Sequence, residues 1–195
     1  VRYLRQVAAG LDTGPLLAEL AAQPALWREL TFRQAFPGSA HRDTECIFLR
    51  WCTEAVDPAA VFFSTEAVDY PALAALPAAQ PLIDALLAAV DAEALGRVLL
   101  VNLQPQGEIT PHIDEGAYAD YYDRFHIALA SEPGNAFTVG AETVHMAPGS
   151  AWWFNHKREH TVRNGSAVPR LHLIVDAVAP TYRALRNLDG GADGR

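Results

Sequence analysis

From Arg97 onward the pattern is one of short β-type runs separated by Gly, Pro and Asn: RVLLVNL, EITPHID, RFHIALA, AFTV, ETVHM, SAWWFN, EHTVRN and RLHLIVDAV. Eight short runs with turn signals between them predict eight strands in an antiparallel sandwich or barrel. The first half follows a different pattern. Ile83, Leu86, Leu87, Val90 and Leu95 recur at helical spacing after Pro81, with Gly96 placed as a C-terminal cap. An earlier helical stretch runs from about Pro15 to Leu30, opened by Asp12 and Thr13 and interrupted near Pro24. CIFLRW and VFFS predict one or two edge strands before the second helical run. The fold class is therefore mainly β with N-terminal helices (α+β), as one domain over 1–188. Helical support occupies 1–96, the β core about 97–180, and the small polar tail DGGADGR at 189–195 is expected to be flexible.

Composition narrows the function classes. A chain of 195 residues, half apolar and 19% charged, is long enough to bury a real core. Its formal charge of -8, from 23 acidic and 15 basic side chains, argues against a nucleic-acid partner, which would call for a basic patch. No run of 18 apolar residues predicts a membrane span, and VRYLRQVAAGLDTG lacks the apolar segment of a secretory signal, so a cytoplasmic location and no membrane partner are expected. Cys46 and Cys52, without a second pair of ligands, read as small buried thiols.

The chemistry begins at PHIDEG. His112 and Asp114 lie one residue apart on a predicted strand, so both side chains leave the same face. An imidazole and a carboxylate there supply two parts of the two-His, one-carboxylate triad of non-haem Fe(II) oxygenases, and a distant imidazole would complete it. His160 begins a strand-like run 46 residues beyond Asp114, room for about four short strands that return to the first two ligands. His41-Arg42-Asp43 repeats the spacing but lacks this downstream context, so a substrate-side or surface role suits it better.

Four motifs then carry a resemblance: P-x-G-x-I-x-x-H at Pro105 to His112, Arg-x-His-x-x-Leu at Arg124 to Leu129, G-x-x-x-x-F-x-x-x-x-E-H-x-V at Gly149 to Val162, and Arg170 leading RLHLIVD. The segment from about Leu103 to Asp176 resembles the aspartyl/asparaginyl β-hydroxylase family of Fe(II)/2-oxoglutarate oxygenases, which implies a double-stranded β-helix, or cupin-like jelly roll. The resemblance implies His112 and His160 as iron ligands, with Asp114 completing the triad, and Arg170 as the anchor for the far carboxylate of 2-oxoglutarate. It places Arg124 and His126 at the cosubstrate's other end and a further polar contact at Asn102. In the animal members a non-acidic residue stands at the position of Asp114, and an acidic one near His156.

The implied cofactors are Fe(II), 2-oxoglutarate and O2. The implied reaction is hydroxylation of an unactivated C–H in an amino acid, or in a peptide or protein residue such as Asp or Asn. A cupin-like metal isomerase or sensor without 2-oxoglutarate, and a non-catalytic interaction domain, are the competing readings. Arg170 discriminates against the former, which has no need of it. Trp152 and Trp153 read as one pocket-wall and one core residue, His145 and His172 as structural, and EGAYADYYDRF as either a solvated loop or a substrate lid.

Overall fold

The computed structural model describes residues 2–35, 38–53 and 57–188. Two antiparallel sheets face each other. The larger runs in the order β1 (Leu4–Ala8), β9 (Ala151–Phe154), β6 (Asp123–Ala130), β11 (Arg170–Val178), β4 (Ala94–Leu103), β2 (Thr44–Trp51) and β3 (Val68–Asp69). The smaller is β5 (Glu108–His112), β10 (His160–Asn164), β7 (Asn135–Val139) and β8 (Glu142–Val144). This is a jelly roll, and all eight strands expected beyond Arg97 are present. The helices are α1 (Gly14–Ala22), α2 (Phe32–Ala35), α3 (Pro58–Phe63), α4 (Pro71–Ala75), α5 (Ala79–Ala89), α6 (Gly116–Tyr121) and α7 (Pro180–Leu188). None among the described residues is long and apolar enough to cross a membrane.

Strand alternation divides the larger sheet into two working faces. Phe125, Ile127 and Leu129 of β6 and Leu173, Val175 and Ala177 of β11 turn outward and pack on Leu16 and Leu20 of α1, Ala72 of α4, and Leu82, Ile83 and Leu86 of α5. Each such side chain contributes about 1.5 to 3 kcal/mol when removed from water, so the helices are held by a continuous apolar layer. The inner face is covered twice. The smaller sheet closes on it through Leu103, Ile109, Phe137, Phe154 and Val162. Beyond its edge, Cys46, Phe48, Leu99, Val101 and Ile174 are roofed by Leu30, Phe32, Ala60 and Val61. The space between these two covers is where the site lies.

Several expectations are corrected. The N-terminal half is more than helical support, because β1 and β2 are both strands of the larger sheet. VFFS falls in α3 and β3 takes the edge beside β2, so an apolar run too short for periodicity to decide was a helix. The second helix ends at Ala89, followed by a left-handed Asp91 with φ 51°. Leu95 and Gly96 therefore belong to β4, and the glycine is not a cap. The early helical stretch breaks at Pro24 as expected, into α1 and a 3-10 turn over Pro24–Arg28. Helix α7 was not anticipated, and the tail 189–195 lies outside the described residues. Cys46 and Cys52 are buried free thiols. Trp153 lies in the outer core, but Trp152 packs beside the inter-sheet cluster and donates to Ser150 instead of walling the cavity.

Glycine at position 96 has a packing reason: a Cβ there would meet the Tyr118 hydroxyl and the Tyr122 ring at 2.8 Å. Gly96→Ala should therefore lower stability by roughly 1 to 3 kcal/mol, because α6 must move or the strand must bend. Urea denaturation checks this, and an unchanged midpoint would show that the α6 packing is looser than described.

Candidate metal centre and its neighbouring cavity

His112 ends β5 and His160 begins β10, and the register pairs them directly across the smaller sheet. Their rings stand 4.2 Å apart, centroid to centroid. Asp114 follows just after β5, its N–H donating to the His156 carbonyl at 3.1 Å. The donor atoms of His112, Asp114 and His160 lie within 4.8 Å of one another. The backbone also orients the two rings. His112 Nδ1 meets the Thr110 carbonyl at 2.8 Å and His160 Nδ1 the Arg158 carbonyl at 2.9 Å. A carbonyl only accepts, so each Nδ1 carries the proton and each Nε2 keeps its lone pair for a metal.

Electrostatics prepares the same state. Burial depresses both imidazoles, His160 to about 4, so both are neutral and able to coordinate near neutral pH. Burial alone would raise Asp114, but Arg124 beside it, with the neighbouring histidines, holds its carboxyl well below the usual carboxylate range. Two neutral imidazoles and one ionised carboxylate form a donor set suited to Fe(II).

Arg124 takes a different post from the one expected at the cosubstrate. Its Nε and one terminal nitrogen close on Asp176 at 2.8 and 2.9 Å, while the other terminal nitrogen reaches Asp114 at 2.8 Å. It is thus a positioning residue for Asp114. Asp176 lies directly across from it in the β11–β6 register and also accepts from the Tyr118 hydroxyl at 3.0 Å. Sequence reasoning missed this aspartate. Its signal was a lone acid inside an apolar strand, at even spacing from Arg170 and therefore on the same face.

Asn102 is corrected too. It points to the helix-bearing face of the sheet, between Leu171 and Glu45 in register, and donates to Glu45 at 3.1 Å. Its neighbour Val101 takes the inner face. His126 does lie inside, ringed by Phe137, Phe154 and His172.

Arg170 is 2% exposed. Among the described residues it has no carboxylate partner; its guanidinium meets His172 Nδ1 at 3.1 Å and lies over the Phe137 ring. Burial alone pulls it down to about 9. His126 Nδ1 and His172 Nε2, close by, are also buried without a partner. A buried cation without an anion is costly, and a cluster of unpaired polar atoms around it fits an anionic, oxygen-rich guest.

On the other side of His112 lies a cavity of about 410 Å³. His41 stands edge-on to the His112 ring at 4.9 Å and lines this cavity. Its sequence partner Asp43 does structural work, accepting from the Glu108 N–H at 2.9 Å in the β4–β5 connection. Helix α6, inside the Tyr-rich run EGAYADYYDRF, contributes Tyr118 and Ala119 to the cavity wall. It is tied down by Arg186 of α7, which donates to the carbonyls of Ala119, Asp120 and Tyr122. His156 donates from Nε2 to the Ala119 carbonyl as well, and His145 meets the Ser131 carbonyl, so both have local structural contacts.

The model of the family described as Aspartyl/Asparaginyl beta-hydroxylase matches residues 54–180, nearly two thirds of the chain. L-proline cis-4-hydroxylase of Rhizobium meliloti (strain 1021) is 29% identical over 101 residues, which cover 51% of this chain and 36% of that protein. The match thus spans little more than a third of that relative's length. Among solved structures, an oxidoreductase of the 2OG-Fe(II) oxygenase family from Burkholderia pseudomallei superposes with a TM-score of 0.56 at 19% identity, covering 83% of this chain and 78% of that one. That likeness supports the fold. A cupin domain from Bordetella pertussis Tohama I covers 44% of this chain and 83% of its own at a TM-score of 0.35 and 17% identity.

Two outcomes are expected. Asp176→Asn breaks a buried ion pair and frees Arg124, so stability should fall by about 3 to 5 kcal/mol and Fe(II) affinity about 10-fold or more. Denaturation and anaerobic Fe(II) titration measure both. The second concerns pH: a proton competes for Nε2 only below the imidazole's own pKa. Fe(II) loading should therefore persist below the ordinary imidazole range, since both ligand histidines are depressed, and be lost by about pH 4, where His160 protonates. Metal analysis after equilibration across that range reads the midpoint, and loss already near 6.5 would contradict the depressed pKa.

Proposed function

We propose a hydroxylase reading from one premise: the chain belongs to the aspartyl/asparaginyl β-hydroxylase family of Fe(II)/2-oxoglutarate-dependent dioxygenases. His112, Asp114 and His160 would hold Fe(II), and Arg170 would pair with the far carboxylate of 2-oxoglutarate. The observation that carries this reading is the buried, unpaired guanidinium of Arg170 behind a complete His-Asp-His face. When bound, Fe(II) with 2-oxoglutarate and O2 supplies oxidation of a C–H bond to an alcohol, one oxygen atom entering the product and the other the succinate left after CO2 is lost.

The chain's own residues supply the setting. Thr110 and Arg158 carbonyls keep the coordinating nitrogens aimed. Arg124, locked by Asp176, keeps Asp114 ionised and turned to the metal position. Phe137 and Phe154 exclude water around His126 and His160, which strengthens every charge contact there. The substrate is an amino acid, or an amino-acid residue such as Asp or Asn in a peptide, entering the cavity beside His41. The proline hydroxylase relative supports an amino-acid substrate. A metal isomerase or sensor of the cupin kind would have no use for Arg170.

Arg170→Ala should weaken 2-oxoglutarate binding by roughly 30-fold or more, since truncating one partner of a desolvated charge pair costs about 2 to 5 kcal/mol. Fe(II) binding should be nearly unchanged, because no ligand is touched. Arg170→Lys should recover only part, keeping charge without the fork. The metal-to-ligand charge-transfer absorption of 2-oxoglutarate, titrated anaerobically into the iron-loaded protein, decides it. Equal affinity in wild type and Arg170→Ala would remove the anchor, and no binding in wild type would favour the isomerase or sensor.

A further inference from the structure

Among the described residues, arginines that reach into this protein's interior are matched, with Arg170 and Arg33 as exceptions. Arg124 closes on two aspartates, Arg97 donates to the carbonyls of Ala60, Val61 and Ser64, and Arg186 reaches Asp123 as well as carbonyls of the α6 segment. Arg170 is the first exception. Arg33, on α2 in the wall of the 410 Å³ cavity, is the second. It is half-buried, and its side chain touches only neutral groups: His41 Nε2 at 3.1 Å and the Cys46 thiol at 3.6 Å. No carboxylate pairs with it among the described residues. A guanidinium can only donate, so Nε2 of His41 accepts and the ring proton lies on Nδ1, which is buried without a partner. A permanent cation held by a neutral imidazole therefore stands in the cavity wall.

Their position relative to the metal ligands is ordered. Arg33 touches His41, His41 touches His112, His112 touches His160, and His160 stacks towards Phe137, over which Arg170 lies. The two unmatched guanidinia thus lie at opposite ends of a chain of contacts with the ligand pair in the middle. Neither Arg170 nor His126 lines the cavity that holds Arg33. The same wall carries the apolar Phe32, Trp51, Val61 and Phe62, the ligand residues His112 and Asp114, the matched Arg97 and Arg124, and Glu115 at the start of α6. A volume of about 410 Å³ falls within the usual range of small-molecule pockets.

We infer that Arg33, supported by His41, is the anchor for the carboxylate of a free amino-acid substrate, so that the protein acts on small amino acids instead of internal residues of a polypeptide. This rests on the hydroxylase reading above and deepens it. An internal residue has its carboxyl tied up in a peptide bond, which offers Arg33 no charge. A free amino acid offers a carboxylate to the guanidinium and an ammonium to Glu115, and its side chain meets the apolar wall. The inference makes Arg33 a specificity-determining residue.

Ligand-observed NMR on the full chain loaded with Zn(II) and 2-oxoglutarate, a redox-inert state, tests this with the proteinogenic L-amino acids and the matching amino-acid amides. At least one free acid should bind, and its amide about 10- to 100-fold more weakly, the scale of a charge-assisted contact. Arg33→Ala should reduce acid binding by a similar factor and leave the amide unchanged, with Arg33→Lys recovering part. Equal binding of acid and amide, undiminished acid binding in a folded Arg33→Ala, or binding confined to peptides that carry the residue internally would each overturn the assignment, as would failure of every free acid to bind. The charge-transfer band of Fe(II) with 2-oxoglutarate, recorded on the same variants, keeps the two readings apart. Its absence in wild type strikes the hydroxylase reading, whereas its presence without acid discrimination strikes only the role of Arg33.

Discussion

The site depends on one bridge: the Arg124 guanidinium held between Asp176 and Asp114. Asp176 belongs to the central strand of the larger sheet, whereas Asp114 lies past the end of β5 in the smaller one, so a single side chain ties the position of a metal-facing carboxylate to the middle of the larger sheet. Burying these charges is expensive, and the cost is offset only because both arms of the guanidinium are engaged. Tyr118 extends the same network by donating to Asp176 while accepting from the Arg97 N–H. Helix α6, which lines the cavity, is thereby connected to the carboxylate that faces the metal position.

Strand-like runs made the core legible because their cause is local. The strands β4, β6 and β11 are buried on both faces and read as short apolar runs between turn residues, while β5, β7 and β10 have more mixed burial, so either signal is written into the residues themselves. His112 and Asp114 do converge, but Asp114 lies past the end of β5 and is placed by its N–H bond to the His156 carbonyl and not by strand alternation, while His160 followed from the length of chain needed to return. What failed were features fixed by distant contacts. Arg124 was placed at the cosubstrate by resemblance because the aspartate that captures it is 52 residues away. Asn102 was chosen because the resemblance called for a polar contact there and its side chain can donate, but the register turns it to the helix-bearing face, where it meets Glu45. Strand β1 gave little signal, since an edge strand of five residues with Arg5 and Gln6 exposed side by side resembles a polar segment. His41 and Arg33 could not be connected to His112 from spacing, because the β2–β4 pairing that draws them in is made only in the folded chain.

Two unmatched guanidinia also give the molecule an electrical asymmetry. The protein as a whole is acidic, with a formal charge of -8, yet among the described residues buried Arg170 and half-buried Arg33 have no carboxylate partner. For Arg170 this carries a desolvation cost that a bound carboxylate relieves. Stability given up locally becomes affinity for anionic guests, and ligands that satisfy these cations should stabilise the fold through mass action.

The alternation along β11 separates two kinds of evolutionary freedom. Arg170, His172 and Asp176 turn to the chemistry, while Leu171, Leu173, Val175 and Ala177 turn to the helical layer. Drift in the helices can therefore be absorbed on one face of a strand without disturbing the polar positions on the other. The cavity wall around Arg33 and His41 comes instead from short segments outside this central strand. A lineage could remodel that wall for a different guest while inheriting the buried charge network intact, so variety among descendants should concentrate in the loops and short helices, and the inner face of β11 should change last.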